Sequence, residues 1–400
     1  MKEYNDFKYA CLFGGGAIRG AAHVGVLKAL EKIGIEPTTL AGSSVGSIVA
    51  ALYALGYSDE ELSEIFTAVN FEIFRDIAFG FSPKIALSKG EVFLEWIREL
   101  IEKKFYGEKY VKGEVEHVKF KDLDKDLVII TTNLKEFSCC EFSSFETPDF
   151  EIAMAVRISC CMPGLMRAVT EDDKLLVDGD LMKGKPMWSL SKNLRDTSDR
   201  ILEIRLEGTY TGTDQNFVEY VNGMYTCMTY SETDFIKNIY QGKDKYDYLV
   251  IDTGNVVVVD FNYPTEKRQA IMENGYDTTI RYFKEELVEK KSKILDIYED
   301  ILDDLRNIQG FIILGKYNNA RNKTSEMFIN LAKTKDIIDE EVFNDITKLQ
   351  ELIFENVKYG LLGYCSCTNK NGIKDVLNEL VDDLSGRIDG LRKYISKFAV

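Results

Sequence analysis

Two short apolar runs, each closed by a glycine turn and followed by a helical pattern, lie between Tyr9 and Gly46: YACLFGGGAIRGAAHVGVLKALEKIGIEPTTLAGSSVG. Tyr9 to Phe13 is apolar and bounded by glycines, so it reads as a buried strand. From Ala21 to Ile33 the residues Val24, Leu27, Leu30 and Ile33 recur at helical spacing, and Gly34 ends that helix. Thr39 to Ala41 reads as a second strand, and Gly46 to Leu55 as a second helix closed by Gly56. Strand, glycine turn and helix in immediate repetition point to an α/β fold with a parallel sheet.

The rest of the chain extends this pattern and then departs from it. Ser58 with Glu61 forms a capping box for a helix to about Val69. Phe71 to Gly90 is aromatic-rich and lacks a clean period. It reads either as buried connecting structure or as a mobile cap whose Phe residues meet acyl chains or a membrane surface. Glu91 to Lys103 and Asp149 to Ser159 read as helices, the latter broken by Pro163-Gly164. Leu127 to Thr132, Lys174 to Val177, Ile201 to Leu206, Tyr248 to Asp252 and Val256 to Phe261 read as strands, with a helix between the third and fourth. Pro264 to Lys284 reads as a helix. After about residue 286 strand signals stop. Ile294, Ile297, Ile301, Leu305 and Ile308 fall on one helical stripe, and Val376, Leu380, Leu384, Ile388, Leu391 and Ile395 on another. The tail thus reads as a helical module; Gly386 and Gly390 weaken its last segment as a coiled coil.

Composition narrows the function. The chain has 400 residues, enough for one or two domains, and is 45% apolar. Its net charge of −16 argues against nucleic acid and against adhesion to anionic lipid by charge. No stretch approaches about 18 uninterrupted apolar residues, so no membrane span is expected. The opening MKEYNDFKYACLF lacks the features of a signal peptide. Cys11, two adjacent pairs, Cys227, Cys365 and Cys367 read as reduced thiols, which suits the cytoplasm. Cys365-Ser366-Cys367 lacks the second ligand pair that a metal site needs.

The second glycine turn, Gly42-Ser43-Ser44-Val45-Gly46, has the form GxSxG. Such a turn between strand and helix needs small flanking residues and lifts the serine into a cleft at a helix N-terminus. A chain of this length shows the motif by chance about one time in ten, so the strand before it, the helix after it and the upstream turn carry the weight. Gly14-Gly15-Gly16 offers backbone N–H groups that can approach a reacting carbonyl, which suits an oxyanion hole. Its rival reading is a phosphate cradle, but GGGAIRG has the spacing of neither known nucleotide loop. Arg19 either steadies that turn or meets an anionic head group; the plain alternative is a surface arginine.

A hydroxyl needs a base, and the chain has only two histidines. His23 lies one turn into the first helix, where a packing role fits. His117 lies in the charged stretch VKGEVEHVKF. Neither follows a strand downstream of the serine, as a Ser-His-Asp hydrolase requires. Asp178, in LLVDGD, ends a strand before Gly179 and is the candidate base; the plain alternative is an ordinary Asp-Gly turn. Aspartate is weaker than histidine by about 2.6 pK units. A serine–aspartate pair therefore has to rely on a direct hydrogen bond and a strong oxyanion hole.

With these three motifs in order, the chain resembles the patatin-like phospholipases over roughly residues 7 to 285. His23-Val24-Gly25-Val26-Leu27, Thr131-Thr132-Asn133, Ala155 to Pro163 (AVRISCCMP), Tyr248 to Asp252 and Gly275-Tyr276 add to the likeness. The resemblance implies a three-layer α/β/α fold with a mainly parallel central sheet; residues 286–400 lie outside it and read as a C-terminal helical region. It implies lipid acyl hydrolysis through Ser44 and Asp178, with the elbow framed by Gly42 and Gly46 and the oxyanion hole at Gly14, Gly15, Gly16 and Arg19. No cofactor or metal is called for; the substrate would be a phospholipid or other fatty acyl ester, with transient contact at a membrane surface. The chain departs from the family at Asp180, where Gly or Ala is usual, and at Gly184, where Asn is frequent, while Pro186 is kept. Asp180 would either face solvent or raise the pKa of Asp178 by like-charge repulsion. The acidic balance, Asp180 and the tail also leave open an interaction protein on the same fold, with weak or partner-activated hydrolysis and the C-terminal helices binding the partner. An acyltransferase shares the elbow but would need a histidine base.

Overall fold

In the computed structural model, residues 8–69, 88–182, 198–208, 223, 246–254, 263–335, 337–359 and 365–398 are described. Those up to Arg281 form one compact unit and those from Tyr282 onward a second. Most of the Phe71 to Gly90 segment, the strand expected at Val256 to Phe261, the helix expected before Tyr248, and Gly184, Pro186 and Cys227 lie outside the described residues.

The first unit is built on one eight-stranded sheet. Its strands are β1 (Tyr9–Phe13), β2 (Pro37–Ser43), β3 (Asp126–Asn133), β4 (Ser138–Ser143), β5 (Val169–Glu171), β6 (Lys174–Asp178), β7 (Arg200–Glu207) and β8 (Tyr246–Asp252). Five of them, in the order β3-β2-β1-β7-β8, are parallel. β4 and β6 join β3 antiparallel, and β5 pairs with β6. Every residue of β1 is buried, so the centre of the sheet is covered on both faces. Ala10, Leu12, Ala41, Val128, Ile130 and Ile201 make one continuous apolar cluster across four strands.

The helices follow from the glycine punctuation. α1 (Ala21–Lys32) ends at Gly34, whose φ is 73°, and α2 (Val45–Ala54) ends before Gly56 at 86°. α3 (Asp59–Ala68) carries the Ser58–Glu61 capping box with both of its hydrogen bonds made. α4 (Glu91–Tyr106), α5 (Ile152–Ser159) and α6 (Thr265–Arg281) complete the unit. α1 packs with α3 and α6, while α2 packs with α4 and α5. α5 starts three residues later than its pattern suggested, because Glu151 is held in a bridge with Lys119.

One feature of the ladder positions the candidate site. β2 pairs with β3 through Ser43 opposite Ile130, and β6 pairs with β3 through Asp178 opposite Thr131. β4 overlaps both stretches of β3, so it takes the other edge and leaves β2 and β6 on the same one. The C-terminal ends of β2 and β6 therefore meet head to head at adjacent residues of β3. The residue after Ser43 and the last residue of β6 are brought together by register alone.

The second unit comprises α7 (Leu287–Ile313), α8 (Tyr317–Lys333), α9 (Glu340–Asn356), β9 (Val357–Tyr359), β10 (Cys365–Cys367) and α10 (Lys370–Phe398). The expectation of no strands after residue 286 is corrected by β9 and β10, a short antiparallel pair. The expected stripe on α7 is buried at Ile294, Ile301, Leu305 and Ile308. On α10 the buried line also takes Ile373, Leu377 and Tyr394, with Val376 and Leu380 only partly buried. The reason is that α10 packs on both α7 and α9, which widens the covered face beyond one heptad stripe. No helix among the described residues is long and apolar enough to cross a membrane.

Candidate active site

Ser44 sits between β2 and α2 with φ 51° and ψ −129°, a conformation that non-glycine residues adopt only when their surroundings impose it. The surroundings here are backbone. A Cβ on Gly42 would lie 2.4 Å from the Gly46 carbonyl oxygen, and one on Gly46 would lie 2.0 Å from that of Phe13. The two glycines of the motif are thus required by close approach, and the turn they permit points Ser44 at β6.

There its Oγ donates to Asp178 Oδ2 at 2.7 Å. Both residues are buried, with Ser44 at 5% exposure and Asp178 at 0%. Ser44 also stands at the N-cap position of α2, whose dipole favours negative charge at that end. Ser47 Oγ donates to the Ser44 carbonyl at 2.6 Å.

The end of α5 holds both partners. Ser159 Oγ accepts from the Ser44 N–H at 2.9 Å and donates to the Ile130 carbonyl at 2.7 Å. The Asp178 N–H donates to the Cys161 carbonyl at 2.9 Å. The segment Ile158-Ser159-Cys160-Cys161 is therefore a cradle for serine and carboxylate together. Sequence reading picked out this stretch but gave Ser159 no role; the only signal was a small polar residue at the end of an apolar helix. Burial, and then the charge of Asp178, push the Cys160 thiol well above its ordinary value, so it is not a competing thiolate.

The glycine turn lies opposite. Gly16 has φ 155° and Ala17 has φ 48°, which turns the chain into a single 3-10 turn before α1. His23, fully buried, places Nε2 2.7 Å from the Gly14 carbonyl oxygen and packs edge-on against Phe13. It braces the turn from the first helix. His117 instead meets Glu102 at 2.8 Å and is half-exposed. Arg19 is 3% exposed, so the surface alternative does not hold; its guanidinium lies beside Gly208 at the end of β7.

The amides of this turn are not equivalent. Gly14, expected in the oxyanion hole, donates its N–H to the Ile204 carbonyl at 2.9 Å, extending the β1–β7 ladder by one rung. The Arg19 N–H is likewise taken by the Gly16 carbonyl at 3.1 Å. Gly15 donates to Asp180 Oδ1 at 3.1 Å. No partner of the Gly16 N–H is seen among the described residues. Asp180 is 1% exposed and does not face solvent as one reading expected. Its own N–H donates to Asp178 Oδ1 at 2.9 Å.

Beneath the turn, Arg205 of β7 donates through Nε to Glu203 at 2.8 Å, with its stem against Gly14. Burial pulls the Arg205 guanidinium down, but the charges of Glu203 and Asp180 outweigh it and hold it above its ordinary value. No disulfide joins the described cysteines.

Known proteins are similar to this chain over the part that carries these motifs. The family model described as patatin-like phospholipase matches residues 12–190. The protein YqhO of Bacillus subtilis (strain 168) is 24% identical over 294 residues, covering 68% of this chain and 97% of that one. The patatin-like phospholipase domain-containing protein 6 of Homo sapiens is 51% identical over 45 residues, 11% of this chain and 3% of that one. Among solved structures, VipD from Legionella pneumophila aligns with a TM-score of 0.53 at 13% identity, over 98% of this chain and 90% of that one, a likeness of fold. Glycine turn, serine elbow and strand-end aspartate all fall inside residues 12–190, the segment that is similar to the patatin-like phospholipase model.

Proposed function

We propose that the protein is a lipid acyl hydrolase of the phospholipase A or lysophospholipase type, working through a Ser44–Asp178 dyad. The observation that carries this reading is the 2.7 Å hydrogen bond from Ser44 Oγ to Asp178 Oδ2, made at a positive-φ elbow and out of water. Ser44 Oγ attacks the ester carbonyl carbon as its proton passes to Asp178 Oδ2. The carbonyl oxygen becomes an oxyanion, held by the N–H groups of Gly15 and Gly16 and by the N-terminal end of α2. The tetrahedral adduct collapses; the ester C–O bond breaks and Asp178 returns the proton to the departing alcohol. Water then attacks the acyl-enzyme, gives its proton to Asp178, and the fatty acid leaves as Ser44 is reprotonated.

A carboxylate can serve as base here because its second oxygen is fixed by the Asp180 N–H, so the first stays aimed at Ser44. Ser159 keeps the elbow in register with β3. The test is fatty acid release from phosphatidylcholine vesicles and turnover of p-nitrophenyl esters by Ser44→Ala. A loss on the order of 10³-fold or more is expected; turnover at the wild-type level would remove the scheme.

A further inference from the structure

The side chain of Asp180 touches the glycine turn at the point where the reaction needs it clear. Its Oδ1 takes the Gly15 N–H at 3.1 Å. Its Oδ2 lies so close to the Gly15 backbone that a Cβ on Gly15 would stand 2.0 Å away. The residue is 1% exposed, so this is a seated carboxylate and not a passing surface contact. Two residues earlier is Asp178, to whose Oδ1 the Asp180 N–H donates. One residue thus joins the two halves of the site, through its backbone to the base and through its side chain to the turn. Its charge also has a buried cation to answer it, since Asp180 is among the charges that favour protonated Arg205.

An amide that is donating to a carboxylate is not donating to a substrate carbonyl. A fixed negative charge at hydrogen-bonding distance from that amide also disfavours a second negative charge beside it. With Gly14 committed to Ile204, the turn in this state retains Gly16 as its open donor among the described contacts. We propose that Asp180 is a latch on the oxyanion turn: its carboxylate occupies the Gly15 N–H in the resting molecule and has to leave before an acyl carbonyl can bind there. The proposal rests on the hydrolase reading of the same site, which it deepens. One oxyanion donor is worth about 10²–10³ in kcat where it has been removed from other enzymes, so a latched turn should be slow.

The test compares the full-length wild type with Asp180→Gly, which removes the carboxylate, and Asp180→Asn, which keeps an acceptor of the same size without the charge. The primary readout is the second-order rate at which an alkyl fluorophosphonate labels Ser44, followed by mass spectrometry. In that step Ser44 Oγ bonds to phosphorus, fluoride leaves, and the phosphoryl oxygen enters the oxyanion position. Asp180→Gly is expected to label at least tenfold faster than wild type, with Asp180→Asn between them. Labelling at the wild-type rate or slower by both folded variants overturns the latch. So does loss of folding in both, since the carboxylate would then be a structural support. Turnover of p-nitrophenyl butyrate separates this result from the reading beneath it. Faster labelling with no ester turnover in any variant keeps the latch and removes the hydrolase assignment; unchanged labelling with ordinary turnover does the reverse.

Discussion

At the elbow, every polar group that steers Ser44 is matched. Its hydroxyl is on Asp178, its N–H on Ser159 and its carbonyl on Ser47, all at 2.6–2.9 Å. At the glycine turn the corresponding groups are matched to the wrong partners for catalysis. Gly14 is spent on the sheet and Gly15 on a carboxylate. Both turns are glycine-rich, both stand at the end of a buried parallel strand, and both start a helix. The difference is that the nucleophile is set by local backbone packing, whereas the state of the oxyanion turn is set by a side chain from the far end of β6. The nucleophile and the oxyanion turn are thus held by different groups, and Asp180 meets both, through its N–H at Asp178 and through its side chain at Gly15.

The comparison breaks most completely at Gly46, where the two turns touch. An alanine there would drive its Cβ to 2.0 Å from the Phe13 carbonyl oxygen and 2.7 Å from that of Gly14. Gly46→Ala is expected to lose nearly all ester turnover and about 1–3 kcal/mol of stability, read by chemical denaturation. Its control is Gly386→Ala in α10, where an added Cβ meets nothing within 4 Å. That change should leave turnover alone and raise stability by about 0.5–1 kcal/mol. A smaller effect is expected at the α5 cradle. Ser159→Ala leaves the Ser44 N–H and the Ile130 carbonyl without their shared partner, which costs about 1–3 kcal/mol. Its kcat should fall about tenfold with KM little changed, because the elbow loses its register and the substrate cleft does not. A fall confined to KM would show that Ser159 serves binding instead.

The path from Tyr9 to Leu55 was legible in the sequence because each of its elements is fixed locally. Apolar runs set the strands, and glycines set where they stop. Ser44 and Asp178 could be named from the same signals, since each ends a strand at a turn. What could not be read was contact between distant residues. Ser159 looks like any helix-end serine until α5 is laid across β3. Asp180 looks like a solvent-facing carboxylate until the register of β6 carries it under Gly15. β4, SCCEFS, escaped notice because it is half-buried and has neither a run nor an alternation of apolar residues. β9 and β10 are three residues each with only Val357 buried, so their pairing had no hydrophobic signature. The α10 stripe was placed by a single-partner heptad, and a helix with two partners does not keep to one.

The central claim is that a carboxylate, and no imidazole, takes the serine proton. It is tested most directly by fatty acid release from phospholipid vesicles by Asp178→Asn, which keeps the side chain's shape and its place between Ser44 and the Asp180 N–H. A fall in kcat on the order of 10³-fold or more, with the fold intact and His117→Ala at wild-type turnover, is the expected result. Turnover by Asp178→Asn within a few-fold of wild type would contradict the account.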